Sequence, residues 1–289
     1  MSYFYLFMAM LFSAAITVGS RFYNQKNQGV DGAAGLYRLL VPCSGILMWF
    51  VLWLLEPSFD LRVLPYSLLY SLCYLSFTMG MLGAVKTGST SLTGLVKQAA
   101  LAGVSLWGFV FWDTRFTPAV GLGIGFLILS LGLCLITREE RSKTYDLRKW
   151  LVFAAMVAVG NAGCSIVQRY QQMAFQYQHK NMFMLFSVFF AAVWALLLSI
   201  KENKQNWKAA AKTSWPFAFL AGCSGAASNV FILLLVKRQL SPVILYPGIA
   251  VGGLMLTILI TFFGFREKLR PLQWLGLAVG AVSLVLLNL

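Results

Sequence analysis

Apolar residues along this chain come in helix-length runs, broken by short polar punctuation, with no alternation of the kind a half-buried strand shows. The runs fall at about 2–21, 33–55, 63–85, 89–112, 116–137, 149–169, 182–200, 214–236, 242–264 and 271–289. A bilayer core of ~30 Å is crossed by roughly 20 apolar residues in α-helix. The pattern therefore predicts an all-α integral membrane protein with ten transmembrane helices. Little chain is left for a soluble domain, so any activity must lie within or between the helices. The first run has no basic residue before it and exceeds the roughly 7–15 apolar residues of a signal peptide. It is expected to stay as a helix.

The punctuation repeats. Ser13, Thr17, Ser20 and Arg21 align with Asn161, Ser165, Gln168 and Arg169 at an offset of 148. Pro65 and Val85-Lys86 align with Pro216 and Val236-Lys237 at 151. Pro118, Gly123, Ser130 and Leu131 align with Pro271, Gly276, Ser283 and Leu284 at 153. Spans 2 and 7 show no such match. Three matches in chain order with a slow drift argue for duplication: a first repeat at 1–137, a polar linker at 138–148 and a second repeat at 149–289. Each half has an odd number of spans, so two halves joined by one loop cross the membrane in opposite directions. This is the inverted-repeat plan of many secondary transporters, which bind substrate near the midplane between the halves.

Composition narrows the chemistry. Hydrophobic residues make up 59% and charged residues 11% of the chain, against ~25% charged in soluble domains. The net charge of +14 sits mostly at the ends of apolar runs, where Lys and Arg anchor helices and set orientation; no nucleic-acid partner is expected. Cys43, Cys73, Cys134, Cys164 and Cys223 all lie inside runs and form no CxxC pair, which suits packing better than a disulfide framework or a zinc site. His179 is the single histidine, leaving little for general acid–base catalysis. No enzyme activity, metal or cofactor is expected.

The nine carboxylates all lie in loops or at span ends. Proton relays and cation sites usually use buried Asp or Glu, so a strongly cationic substrate and carboxylate-based coupling are both disfavoured. Two cations lie within spans. Arg38 is ~8 Å deep at 1.5 Å per residue, shallow enough to snorkel; a binding role is the lesser reading. Lys97 is ~12 Å deep, and a charge there costs at least ~2.5–3.5 kcal/mol. With Thr90, Thr93 and Ser105 it makes one polar stripe, so it should face the bundle interior or a wet cavity. Substrate contact, snorkelling and bonding to carbonyls stay open for it. Asn161, Ser165 and Gln168 recur at i, i+4 and i+7, as do Ser13, Thr17 and Ser20 in span 1. Span 8 offers Ser224, Ser228 and Asn229; span 3 offers Tyr74 and Thr78. Helix–helix hydrogen bonding competes as an explanation for each. The candidate substrate-binding set is Lys97, Asn161, Gln168, Tyr74, Thr78, Ser13, Thr17, Ser165, Asn229 and Arg38. Gly121xxxGly125, Gly248xxxGly252 and Gly276xxxGly280 suit close helix packing. Pro42 and Pro247 are expected to kink their helices. Tyr246 and Trp107 could line a cavity or pack.

The stretch from Phe265 to Leu284, FREKLRPLQWLGLAVGAVSL, joins an acidic turn to a glycine-rich last helix. Its first-half counterpart is Trp112-Asp-Thr-Arg-Phe-Thr-Pro118, and Tyr37-Arg38 stands in span 2. In these motifs and in its two five-span halves the whole chain resembles the drug/metabolite transporter superfamily, specifically its EamA-like branch, with Asp113 where that family usually has Glu. The resemblance implies ten helices, the last two of each half acting as scaffold, and both termini in the cytoplasm. Spans 1, 9 and 10 also look like the four-span small multidrug resistance proteins. Ser13 stands where those carry an essential Glu, so their proton-coupled export of cations is not carried over.

The expectation is a secondary transporter for a small polar or anionic metabolite: an amino acid, another carboxylate or a phosphate compound. Lys97 would meet the anionic group, with Asn161, Gln168 and Tyr74 supplying hydrogen bonds. The alternative is a flippase for a lipid-linked sugar or head group, a function also found in that superfamily. Partners are the substrate and membrane lipids, with a second copy of the chain left open. A bacterial plasma membrane is the expected location. Loops after odd-numbered spans carry fifteen Lys and Arg and the opposite loops six. The positive-inside rule puts the fifteen-charge side in the cytoplasm and both termini outside, the reverse of what the resemblance implies.

Overall fold

The computed structural model describes residues 2–27, 30, 32–87, 90–112, 117–135, 146–200, 207–265 and 271–286. Every regular element among them is helical. The order is α1 (Ser2–Lys26), α2 (Ala33–Leu55), a 3-10 turn (Leu61–Val63), α3 (Leu64–Thr87), α4 (Thr90–Phe111) and α5 (Pro118–Leu135). It continues with α6 (Leu147–Ala174), α7 (Lys180–Ser199), α8 (Trp207–Lys237), α9 (Pro242–Phe265) and α10 (Pro271–Leu286). Pro42, Pro216 and Pro247 lie inside α2, α8 and α9. Most of the proposed 138–148 linker falls outside the described residues.

Six of these helices, in α1, α2, α6, α7, α8 and α9, contain stretches long and apolar enough to cross a membrane. Their outer faces agree. Leu47, Phe50, Val51 and Leu54 are exposed along one side of α2, and Val193, Leu196, Leu197 and Ile200 along one side of α7. Spacing of three and four residues places each set on one helical face. Apolar patches of this extent suit lipid, where each helix satisfies its own backbone groups. The chain is an all-α protein with the character of a multi-pass membrane protein.

Three helices outrun their apolar stretches. α6 starts behind Asp146, whose carboxylate accepts a hydrogen bond from the Lys149 backbone N–H at 3.1 Å, and it ends five residues beyond the apolar run. In that extension Gln171 and Gln172 are fully buried. A polar stretch enclosed by protein stays helical, and a hydropathy reading cannot see the enclosure. α1 runs on to Lys26 and α8 begins at Trp207 because their polar ends pack on one another: Tyr23, Leu36, Ala210 and Ala218 form one buried cluster. Asn27 Nδ2 donates to Ser214 Oγ at 2.7 Å across the same seam.

The main packing pairs are α3 on α6, α1 on α8 and α5 on α10. α2 also packs on α7 and α8, α3 on α7, α1 on α9, and α4 on α6 and α9. Glycine makes the closest of these approaches. A Cβ on Gly160 would collide with the α3 backbone at Phe77 N and Cys73 O, and one on Gly80 would stand 2.8 Å from Phe153 O. Gly222 has Ser44 and Val41 of α2 in the same position. Among the glycines singled out in the sequence, Gly252 and Gly280 are packed tightly and Gly248 makes ordinary contact. Gly125 departs from expectation: it looks onto open space, because that face of α5 turns away from the bundle. The α5–α10 contact is fixed instead by two crossed hydrogen bonds. Ser130 Oγ donates to Gly276 O at 2.7 Å, and Ser283 Oγ donates to Gly123 O at 2.8 Å.

Contacts sort the helix ends into two groups. At one end of the bundle Lys180 Nζ pairs with Glu56 at 3.0 Å, Arg238 covers Tyr5, and Arg169 reaches Trp112 and Leu240. At the other, Asn27 meets Ser214 and the Asp146 N–H donates to Thr87 O at 3.0 Å.

Candidate functional site

α6 is the spine of the candidate site. Gly160 and Gly163 give it a surface without side chains, so α3 closes on it at Cys73 and Phe77. The approach of α3 carries the Phe77 ring toward α4, where Lys97 Nζ lies 5.9 Å from the ring centroid. A ring face attracts a cation through its quadrupole. Lys97 itself is half-buried and, among the described residues, forms no ion pair. Its backbone carbonyl accepts a hydrogen bond from Asn161 Nδ2 at 2.8 Å, so α4 and α6 are joined at the level of the lysine.

Ser165, one turn on, turns its hydroxyl back to Asn161 O at 3.3 Å, and its own carbonyl accepts from Tyr246 OH of α9 at 3.3 Å. Gln168 is buried and donates through Nε2 to Asn229 Oδ1 of α8 at 3.2 Å. Asn229 Nδ2 is bound to Gly225 O at 2.9 Å. Tyr74 of α3 is partly buried against the cluster of Tyr70, Val167 and Met184. Lys97, Asn161, Ser165, Gln168 and Asn229 thus converge on α6, with Tyr74 on the α3 side.

The other candidates are placed differently. Thr78 donates to Leu75 O of its own helix at 3.0 Å. Ser13 faces α9, where its Oγ stands 3.3 Å from the place a Cβ on Gly253 would take. Arg38 is half-buried in α2. The side chains of Thr17, Thr90 and Thr93 lie outside the described residues. Ser105 is fully buried and donates to Pro242 O at 3.3 Å, a helix–helix bond. Tyr246 is likewise buried, whereas Trp107 is exposed and its Nε1 donates to Tyr170 OH at 3.4 Å. The sequence reading missed Phe77, which only the α3–α6 approach brings to Lys97. It also missed Arg169 with Trp112, because the apolar run stops at 169 and made that arginine look like a loop charge.

A cavity of about 490 Å³ opens at the Glu56 end of the bundle, lined by Asp60, Arg62, Tyr66, Phe175, Gln178 and His179 among others. No sequence candidate lines it. Its wall is a tight turn in which Gln176, Tyr177 and His179 take left-handed backbone angles. Asp60 accepts from the Arg62 guanidinium and from the Arg62 N–H, and these bonds hold its carboxyl down at about 2. His179 Nε2 lies 4.0 Å from Asp60 Oδ2. The hydrogen-bonded Lys180 ammonium keeps Glu56 below the ordinary carboxylate range. Among the described residues no group of His, Cys, Asp and Glu could hold a metal ion.

No protein-family model matches this chain, and no curated protein matches it. Solved structures do: 28 chains match. One, described as "Crystal structure of protein", superposes with a TM-score of 0.66 over 100% of this chain and 98% of its own, at 13% sequence identity. At that identity the likeness concerns the fold alone.

Proposed function

We propose that the chain is a ten-span secondary transporter of the EamA-like kind, moving a small polar or anionic metabolite by alternating access. The observation that carries this reading is Lys97: a cation half-buried in α4, without an ion pair among the described residues, on a helix whose Lys97 carbonyl is bound by Asn161 of α6. An ionisable group inside a membrane bundle is costly and usually serves the transported species. An anion would supply the charge that Lys97 lacks, and Asn161, Gln168 and Tyr74 lie on the elements around it.

Two features support the inverted repeat. Ser130 and Ser283 are aligned in the two halves, as are Gly123 and Gly276, and each serine bonds the glycine of the other half. The helix partners follow the same exchange. Replacing each first-half helix by its second-half counterpart turns α1–α8 into α6–α3, α2–α8 into α7–α3 and α1–α9 into α6–α4, all of which are contacts of this fold. Two related halves that can rock against each other are what alternating access requires. A bacterial plasma membrane remains the proposed setting.

The test is uptake into proteoliposomes, with radiolabelled amino acids, carboxylates and phosphate esters in one arm and fluorescent lipids in the other. Uptake of a soluble anion that Lys97→Ala reduces to background is the expected result. Lipid movement without soluble uptake, or normal uptake by Lys97→Ala, would overturn the reading.

A further inference from the structure

Arg169 is a second cation without a counter-charge among the described residues. It sits half-buried near the end of α6, and no carboxylate among the described residues pairs with it. Its guanidinium carbon lies 4.9 Å from the Trp112 ring centroid. Among the described residues its Nη1 donates a long hydrogen bond to Leu240 O at 3.5 Å, and the Tyr246 hydroxyl is a second polar neighbour of the guanidinium. Its Nε is buried with no acceptor, and so is the Trp112 Nε1. Two N–H donors in this cation–π pair therefore lack acceptors, and buried donors of this kind are normally satisfied. Tyr170 and Tyr246 pack against Trp112 at 5.7 and 6.5 Å, and Arg238 stands over Tyr5 at the same end of the bundle. The described carboxylates at this end, Glu56 and Asp60, are engaged by Lys180 and Arg62.

Position adds a second argument. Asn161, Ser165 and Arg169 are spaced i, i+4 and i+8, so they share one face of α6. Asn161 joins Lys97 and Ser165 joins Tyr246. Along the helix axis Arg169 lies about 12 Å from Asn161. Among the described residues, the face therefore runs from an arginine without an ion pair at the bundle end to a lysine without one further in.

We propose that Arg169, with Trp112 against its guanidinium, is an oxyanion-binding subsite at the junction of α4, α6 and the α8–α9 turn. It takes a carboxylate or phosphate group, to which guanidinium presents a forked set of donors. In the transporter proposed above, this subsite receives the anionic end of the substrate before Lys97 does. That last step rests on the transporter reading; anion binding at Arg169 does not. A phosphate could come from a soluble compound or from a lipid head group, and the experiment separates the two.

Tryptophan emission of the purified full-length protein is followed in two arms. In detergent, sodium phosphate is titrated at ionic strength held constant with sodium chloride. In nanodiscs, phosphatidylcholine is compared with phosphatidylcholine containing phosphatidylglycerol. The expected result is a saturable change that Trp112→Phe removes and that Arg169→Gln weakens at least ~10-fold. Arg169→Lys keeps part of it and serves as the folded variant if the glutamine form elutes as aggregate. A response to phosphatidylglycerol and not to phosphate also supports the subsite and names a lipid as its source. A change in neither arm, or one indifferent to both Arg169 variants, overturns it. Lys97→Ala separates the two proposals: normal transport by that variant sinks the Lys97 reading and leaves an Arg169-dependent response standing, while Lys97-dependent transport without that response sinks the subsite alone.

Discussion

A lone ammonium in a membrane bundle needs a partner, and among the described residues the Lys97 ammonium has a ring face, that of Phe77, beside it. Cation–π attraction at ~0.5–2 kcal/mol is smaller than the ~2.5–3.5 kcal/mol charged for placing a lysine at a helix centre. The shortfall is what an anionic substrate would fill. Lys97→Arg is therefore expected to fail as well in the uptake assay, because a larger planar head does not replace a point charge; wild-type uptake by that variant would show that charge alone suffices. At the bundle end the chemistry is ordinary and pH-dependent. Asp60 has its carboxyl lowered to about 2 from 3.8 by Arg62, so its clasp on the 3-10 turn is complete above the unfolded value and is lost as pH falls through the folded one. Protection factors of the Leu61–Leu64 amides, taken relative to the intrinsic exchange rate at each pH, should hold at pH 5 and fall between pH 4 and 2, and Asp60→Asn should lower them already at pH 7. Lys97 was legible from its depth in an apolar run. Arg169 was not, because the signal that would have kept it inside, the buried Gln171 and Gln172 beyond it, reads as polar loop in a hydropathy pattern.

At the scale of elements, hydrophobic runs gave the helices and their order but not which faces meet. The glycines show why. Gly125 sits in a GxxxG pair and Gly160 does not, yet Gly160 is pressed on the α3 backbone and Gly125 faces open space. Which is which depends on a neighbouring helix that local sequence does not name. Gly160→Ala should destabilise the purified protein by about 1–3 kcal/mol, since overpacking forces the backbones apart. Gly125→Ala should be neutral or stabilising by up to about 1 kcal/mol, since alanine favours a helix and meets nothing. Thermal unfolding of the two variants in one detergent checks this; equal shifts would mean that the α3–α6 approach is looser than described.

For the molecule as a whole, the two groups of helix ends make orientation a single two-way choice. Gln178, Lys180, Glu56 and Arg238 belong to one end, while Lys26, Asp146, Ser214 and the start of α8 belong to the other. In the ten-span reading the fifteen-charge loops fall with the second group, to which the described Lys26, Lys149 and Lys208 belong. Positive charge near span ends is retained in the cytoplasm, and carboxylates weigh little in that balance; the acids that crowd the same loops therefore do not cancel it. The resemblance to EamA-like transporters points the other way. We expect the charge count to prevail. In a chain with Cys43, Cys73, Cys134, Cys164 and Cys223 replaced by serine, single cysteines would be placed at Gln178 and at Lys208, both exposed. Asn206, in the loop before α8, lies outside the described residues. A membrane-impermeant maleimide applied to intact cells should label position 178 at once and position 208 only after permeabilisation. The reverse pattern would establish the orientation that the resemblance implies. Labelling of both in intact cells would be more damaging, since it would put both ends of α7 on one side and break the ten-span scheme itself.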